Sequence, residues 1–299
     1  MSLTLSEGKT SSMTLNRKTL TCLILLAIVL VGTAQAHTMF LKLDSYFLAE
    51  NSSATVQLIN GDFDVSENAI TRNRMLDVSI VGPDGTIHPP TSAWRDSALY
   101  EASVEEIDTA VLSFETGSTG TYVLGISTAA TVFTLTADEF NEYLAHDRIV
   151  DAIEQRKAAG KWDDEATERY SKHVKAIVQV GEQRSAGFSH ELEYPAEFVP
   201  LQNPYELGVG DELQVQFLRA GQPVANQIVY ASHENYHSHG ENDEHTEAVN
   251  TRTNSQGVAS IPINASGQWY IRTIHMVETT TEPDVDYESN WATLTFAIR

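Results

Sequence analysis

Period-two alternation of apolar and polar residues recurs in short stretches along most of this chain, and it limits the folds open to it. The segments MFLKLD (39–44), ATVQLI (54–59), MLDVSIVG (75–82), AVLSFET (110–116), GTYVLGIS (120–127) and TVFTL (131–135) alternate or form short apolar runs. Successive side chains point to opposite faces only in an extended strand, so these runs predict a sheet with one buried face. Turn signals such as GPDG (82–85) and TGSTG (116–120) separate them, the spacing of an antiparallel sandwich.

The periodicity then changes. In 136–160, Thr136 followed by acids reads as an N-cap and Gly160 as a stop, with Phe140, Leu144, Ile149 and Ile153 at helical spacing. The stretch 163–181 repeats the logic, acids first and then Tyr170, Val174, Ile177 and Val178 on one side. Two helices packed on a sandwich are therefore expected, carrying His146 and His173. Beyond them, 210–232 reads as strand, turn and strand, and GVASIPI (257–263), GQWYIRTIHMVE (267–278) and WATLTFAI (291–298) complete a second small sandwich. The expected fold is mainly β with a helical insert: two β-sandwich modules, the C-terminal one Ig-like or transthyretin-like. Its predicted divisions are a leader (1–36), an N-terminal sandwich (37–135), a helical insert and connector (136–194) and a C-terminal sandwich (195–299).

The leader reads as a signal peptide. Arg17 and Lys18 precede an apolar run at 20–32, short for a membrane span, and Ala34-Gln35-Ala36 fits a cleavage site. Export would place the protein in the periplasm or outside the cell, with no membrane insertion after cleavage. Met13 offers a second start beside Met1. The single cysteine, Cys22, leaves with the leader, so the mature chain has neither disulfide nor thiolate ligand. Of 19 bases and 41 acids, residues 1–36 hold three (Lys9, Arg17, Lys18) and one (Glu7), leaving 16 against 40. That balance argues against nucleic acid or an anionic membrane as partner and is compatible with cations.

The segments ERYSKHVKAIVQVG, FVPLQNPYELGVGDELQVQFLRAGQPV, GQWYIRTIHMV and DYESNWATLTF resemble a family of exported bacterial proteins. That family is a domain of unknown function often labelled NikM-like and described as the periplasmic component of nickel or cobalt uptake. The resemblance spans the mature chain, including its Ala-His start, and implies a metal ion and a transporter or envelope complex as partners.

Cleavage after Ala36 leaves His37 first, with an α-amine and an imidazole on one residue. Together they can chelate a metal through two nitrogens, and the amine's modest pKa lets it lose its proton to the ion. Nitrogen donors without thiolates suit a divalent transition metal (Cu, Ni, Co or Zn), with copper or nickel favoured. His275, matched to the family's His-Met pair, is the predicted second ligand if the N-terminal strand docks beside its strand. Asp284, Asp286 and Glu288 follow closely, and one of them would serve as a third ligand or as an acceptor orienting His275.

A denser cluster, HENYHSHGENDEH (233–245), holds His233, His237, His239 and His245 among five acids including Glu247 just beyond it. It reads as a metal-collecting loop or as a solvated polar loop. It also contains His233-Glu234-x-x-His237, formally a zinc-peptidase pattern, with Gly240 and Asp243 near the longer motif. That chemistry needs a helix to bring both histidines to one face, and the β-branched run before it and Asn235, Ser238, Gly240 and Asn242 within it disfavour one. Three functions follow: metal binding for uptake, delivery or sensing, a non-metal envelope scaffold, and a zinc peptidase.

Overall fold

The alternating runs GQWYIRTIHMVE (267–278) and WATLTFAI (291–298) lie side by side in one sheet. The computed structural model describes residues 37–63, 65–68, 70, 72–94, 110–234, 236 and 247–299. Residues 1–36, where a leader is expected, and His237, His239, Gly240, Asp243 and His245 lie outside the described residues. In chain order the strands are β1 (Met39–Lys42), β2 (Phe47–Leu48), β3 (Ser53–Asn60), β4 (Met75–Gly82), β5 (Gly85–Ile87), β6 (Ala110–Glu115), β7 (Gly120–Thr128) and β8 (Thr131–Leu135). Helices α1 (Ala137–His146) and α2 (Val150–Ala158) follow. Then come β9 (Ala166–Val180), β10 (Ala196–Pro200), β11 (Glu212–Arg219), β12 (Gln222–Pro223) and β13 (Ile228–His233). The last four are β14 (Val249–Arg252), β15 (Val258–Pro262), β16 (Gly267–Glu278) and β17 (Tyr287–Ile298).

The chain is mainly β, as the alternation predicts. One 10-stranded sheet runs β14-β13-β16-β17-β9-β7-β4-β5, with β2 and β8 also paired to β9. It draws strands from both expected sandwich segments, and β9 joins them, antiparallel to β7 and parallel to β17. Residues 163–181 are thus not the expected second helix. The physical reason is burial on both faces: residues 172–180 are all buried, so the strand loses its alternation and keeps only β-branched Val174, Ile177, Val178 and Val180 as a signal. Lys172 and Lys175 imitate the wet face of a helix while their ammonium groups bond inside.

Residues paired across a register share a face, which gives this sheet a front and a back. The front carries Lys172, Trp291 and Ile274; the back carries Ser171, Asn290 and His275. The small β1-β3-β6 sheet covers the front. There Thr293 Oγ1 donates to the Met39 carbonyl (2.8 Å) and Thr295 Oγ1 to the Leu41 carbonyl (2.5 Å). The β10-β11-β12 sheet, with β15 on β11, covers the back through Phe198 and Phe217 and the buried Lys175–Glu197 pair.

The expected helix at 136–160 forms as two. Thr136 caps α1 in a reciprocal box with Glu139, and Arg148, at φ 58°, breaks the run before α2. Gly160, at φ 69°, ends it in the left-handed turn that glycine adopts without penalty. Both helices bury Phe140, Tyr143, Leu144 and Ala152 against Ile274, Met276, Tyr287 and Trp291 on the front face. Among the described residues, no helix is long and apolar enough to cross a membrane.

Candidate functional site

Alternation along β1 and the two residues before it sets the carbonyls of residues 37, 39 and 41 toward the front face, where Lys172, Thr293 and Thr295 donate to them in turn. The first of these bonds is costly. Lys172 is 2% exposed, and burial pushes its ammonium down to about 7, yet Nζ bonds the His37 carbonyl and Asn60 Oδ1 (3.0 Å). Beside it, burial pushes the Glu168 carboxyl up to about 8. Tyr143 (3.2 Å) and Ser289 donate to Glu168 Oε1, while its Oε2 is buried without a hydrogen-bond partner.

The His37 ring is held at both nitrogens. Nε2 lies 2.7 Å from Glu67 Oε2, and Nδ1 lies 2.7 Å from Asn68 Nδ2. A carboxylate accepts and an amide NH2 donates, so this pairing selects the tautomer with the proton on Nε2 and the lone pair on Nδ1. Nδ1 is the ring nitrogen that closes a six-membered chelate with the α-amine of the same residue. A carboxylate behind the ring is also the usual orienter of a metal-bound histidine. Glu67 and Asn68 arrive by way of a tight loop: both backbone N–H groups donate to the Asn60 carbonyl (3.2 and 3.0 Å), and the Gly61 N–H donates to the Thr38 carbonyl (2.9 Å). A Cβ at Gly61 would lie 2.4 Å from the Val65 carbonyl oxygen, so only glycine fits this turn.

His37 lines a cavity of about 490 Å³ on the front face. Phe40, Phe63 and Tyr270 form one wall, with ring centroids 4.9–5.3 Å apart. Asp62, Glu142 and His146 contribute to the rest. The Asp147 carboxylate, 3.7 Å from His146 Nδ1, holds that imidazole above its ordinary range against partial burial. Glu247 is gripped by Arg272 (Nε, 2.7 Å) and Arg148, whose guanidiniums stack over Tyr230 at 4.8 and 4.3 Å. Tyr236 and Glu247, the described residues flanking the histidine-rich segment 237–246, both line this cavity.

The other predicted ligands lie elsewhere. β1 pairs with β3 and not with β16, and His275 is on the back face, so His37 and His275 are not brought together. Strand parity places a side chain on one face or the other, but only the register across β16, β17 and β9 shows which. His275 packs 6.1 Å from Phe217, its Nδ1 buried without a partner, and burial with the nearby Arg219 lowers its basicity. It borders a second cavity, of about 450 Å³, with Asp151, Glu154 and Met276.

Asp286 accepts from the Thr167 N–H (2.8 Å) and Asp284 is exposed. Burial would raise the Glu288 carboxyl, but Asn290, Arg219 and Arg169 outweigh it and hold the group low. None of the three bonds the His275 ring. His233 is at the end of β13, paired with Trp269 on the back face, its ring 4.9 Å from Trp269. Glu234 sits in a turn and accepts from the Gln268 N–H (3.1 Å). The His233-Glu234 pair is therefore on a strand end and turn, without the helical face that zinc-peptidase chemistry needs. Among the described residues, no group of three or more His, Cys, Asp or Glu side chains is arranged to hold a metal ion.

The model of the domain of unknown function (DUF4198) matches residues 34–277. No curated protein matches the chain. Among solved structures the chain is similar to the D0-D1 domain of intimin, at 10% identity over 86% of this chain and 96% of that one, TM-score 0.21. It is also similar to the Yersinia pseudotuberculosis adhesin InvE, at 12% identity over 86% and 58%, TM-score 0.19. A third is trypsin-activated alpha-2-macroglobulin from Escherichia coli, at 9% identity over 88% and 16%, TM-score 0.19.

Proposed function

We propose, from the premise that the chain belongs to the DUF4198 family, that it binds a divalent transition metal through His37 once cleavage after Ala36 frees the α-amine. The observation that carries this is the bonding of the His37 ring. Glu67 at Nε2 and Asn68 at Nδ1 leave the lone pair on the nitrogen that chelates with the amine. On binding, the Asn68 amide gives way at Nδ1 and Glu67 keeps its hold on Nε2–H. Asp62, Glu142 and His146 line the cavity beside His37. Tyr236 and Glu247, on either side of the segment carrying His237, His239 and His245, line the cavity, and that segment would serve as an auxiliary collector.

Nitrogen and carboxylate donors favour Cu(II) or Ni(II) among the candidates. The protein then acts in metal uptake, delivery or sensing in the periplasm or outside the cell, the role implied by the NikM-like resemblance, with a transporter or envelope complex as recipient. The test is a titration with Cu(II), Ni(II) and Zn(II) of protein beginning at His37, beside protein extended by one methionine. The extension keeps every side chain and turns the amine into an amide. Loss of tight binding on extension supports the proposal. Equal binding by both forms moves the site to the histidine segment, and no binding by either favours a scaffold.

A further inference from the structure

The ladder between β13 and β16 stops short of the end of β16. β17 pairs with β16 along 267–278, whereas β13 pairs only with 269–272. Asn226, at φ 59°, turns the chain aside, and its N–H donates to the Thr253 carbonyl (2.9 Å) instead. Gln227 closes the ladder: its Nε2 donates to the Thr273 hydroxyl (2.8 Å) and the Ile274 carbonyl (3.1 Å). Tyr230 opposes Arg272, so in the same register Gln227 and Asn226 would oppose His275 and Met276. Instead a cavity of about 450 Å³ opens there, lined by residues 224–227 and 275–277.

Alternate residues of an antiparallel strand turn both N–H and carbonyl to the same edge. The Gln268 carbonyl accepts from the Glu234 N–H on the β13 side, and the Thr279 N–H donates to the Asp286 carbonyl on the β17 side. Even-numbered residues of β16 therefore face β13, and the Met276 N–H and carbonyl face the gap. Among the described residues nothing bonds either group. Val277, 41% exposed, adds an apolar side chain beside them. An open strand edge is a template for another strand.

The charge of the lining selects which strand. Asp151, Glu154, Gln155 and Ala158 of α2 line the same cavity at i, i+3, i+4 and i+7, one face of the helix. Among the described residues this lining holds two carboxylates and neither lysine nor arginine. Arg252 grips Asp151 (2.7 and 2.9 Å), while Glu154 is exposed without an ion pair among the described residues. Lys157 lies over Trp162 and Lys161 pairs with Glu278, and burial with Arg219 lowers the basicity of His275. A basic strand fits, and the chain beyond residue 36 is a poor source of one. Segment 95–109 carries five acids against one base, and 237–246 three acids and no base. Two copies pairing through this edge would set the α2 carboxylates of each beside those of the other.

We propose that this edge receives an extended, lysine- or arginine-bearing segment of a partner protein as an added strand. The segment bonds the Met276 N–H and carbonyl and sets its basic side chains beside Glu154. The proposal is independent of the role of His37.

The test uses protein beginning at His37 and three capped hexapeptides: alternating Val and Lys, the same with Glu in place of Lys, and the Val-Lys peptide N-methylated at every residue. Calorimetry reports affinity, and hydrogen exchange followed by magnetic resonance reports the Met276 amide. The expected result is binding of the Val-Lys peptide, with exchange at Met276 slowed at least about tenfold. The Glu peptide should not bind. N-methylation should weaken binding by about tenfold or more, the loss of about two hydrogen bonds. Glu154→Lys, a change at an exposed helix position, should weaken it about fivefold.

Equal affinity for the methylated or the Glu peptide, unchanged affinity in Glu154→Lys, protection confined to other amides, or no binding would each overturn the proposal. A Met276 amide already slow without peptide would overturn it too. Slowing that grows with protein concentration assigns the edge to a second copy, and slowing independent of concentration assigns it to the chain itself.

Discussion

The two faces of the ten-stranded sheet use the same residue types in opposite ways. On the back face, Lys175 and His173 are closed into bonded pairs, while His275 keeps a buried Nδ1 without a partner. Lys175 and Glu197 are each 1% exposed and 2.8 Å apart, and Glu197 also accepts from the Leu192 N–H. His173 is bonded by Ser127 (2.9 Å) and Asn290 (3.3 Å), and burial pushes it down to about 4. On the front face, His37, Asp62, Glu142 and His146 line open space, His37 with both ring nitrogens bonded and His146 beside Asp147. Titratable groups that satisfy one another inside a sheet sandwich specify and hold the fold, whereas the same groups around a cavity are available to a ligand.

The comparison breaks most visibly if the back face matters for binding. Glu197→Gln leaves Lys175 buried without its partner and should cost about 3–5 kcal/mol in denaturant unfolding, with Cu(II) affinity unchanged. A smaller effect comes from His173. Its folded-state pKa lies below the ordinary 6.5, so the unfolded chain takes up the proton first as pH falls. The stability it confers is complete above about 6.5 and is lost as pH falls toward about 4, by up to about 3 kcal/mol. His173→Gln should flatten that part of a stability–pH profile.

Front-face changes should invert the pattern, leaving stability and altering binding. Glu67→Gln replaces the carboxylate behind the His37 ring and should weaken Cu(II) binding by about 10–100-fold, with unfolding shifted by less than about 1 kcal/mol. Lys172→Met removes the donor to the His37 carbonyl and should weaken Cu(II) binding by about tenfold, the loss of one hydrogen bond to a charged group. Lys172→Gln, which keeps an N–H donor, should recover part of it. Equal losses of stability in the front-face and back-face variants would erase the distinction.

Much of this arrangement is legible in the residues. Each alternating run became a strand, with 267–278 matching β16 at both ends. His37 stood out because the Ala-x-Ala pattern before it reads as a cleavage site that would expose its amine. The partners of His37 are not legible: Glu67 and Asn68 lie thirty residues away and reach it only because Gly61 lets the loop fold back onto Asn60. Lys172 looked like the wet side of a helix, because a strand buried on both faces loses its period and its lysines are satisfied internally. His275 carried the right chemistry on the wrong face, since alternation along β16 fixes which side chains are neighbours and the register of three strands fixes where they point.

Electron paramagnetic resonance of the mature chain loaded with one equivalent of Cu(II) is the most direct test of the role of His37. The account predicts one amine nitrogen and one imidazole nitrogen in the copper plane, with the amine coupling absent from protein extended by methionine. A spectrum of several imidazoles that is the same in both forms would contradict it, and would assign the metal to the histidine-rich segment.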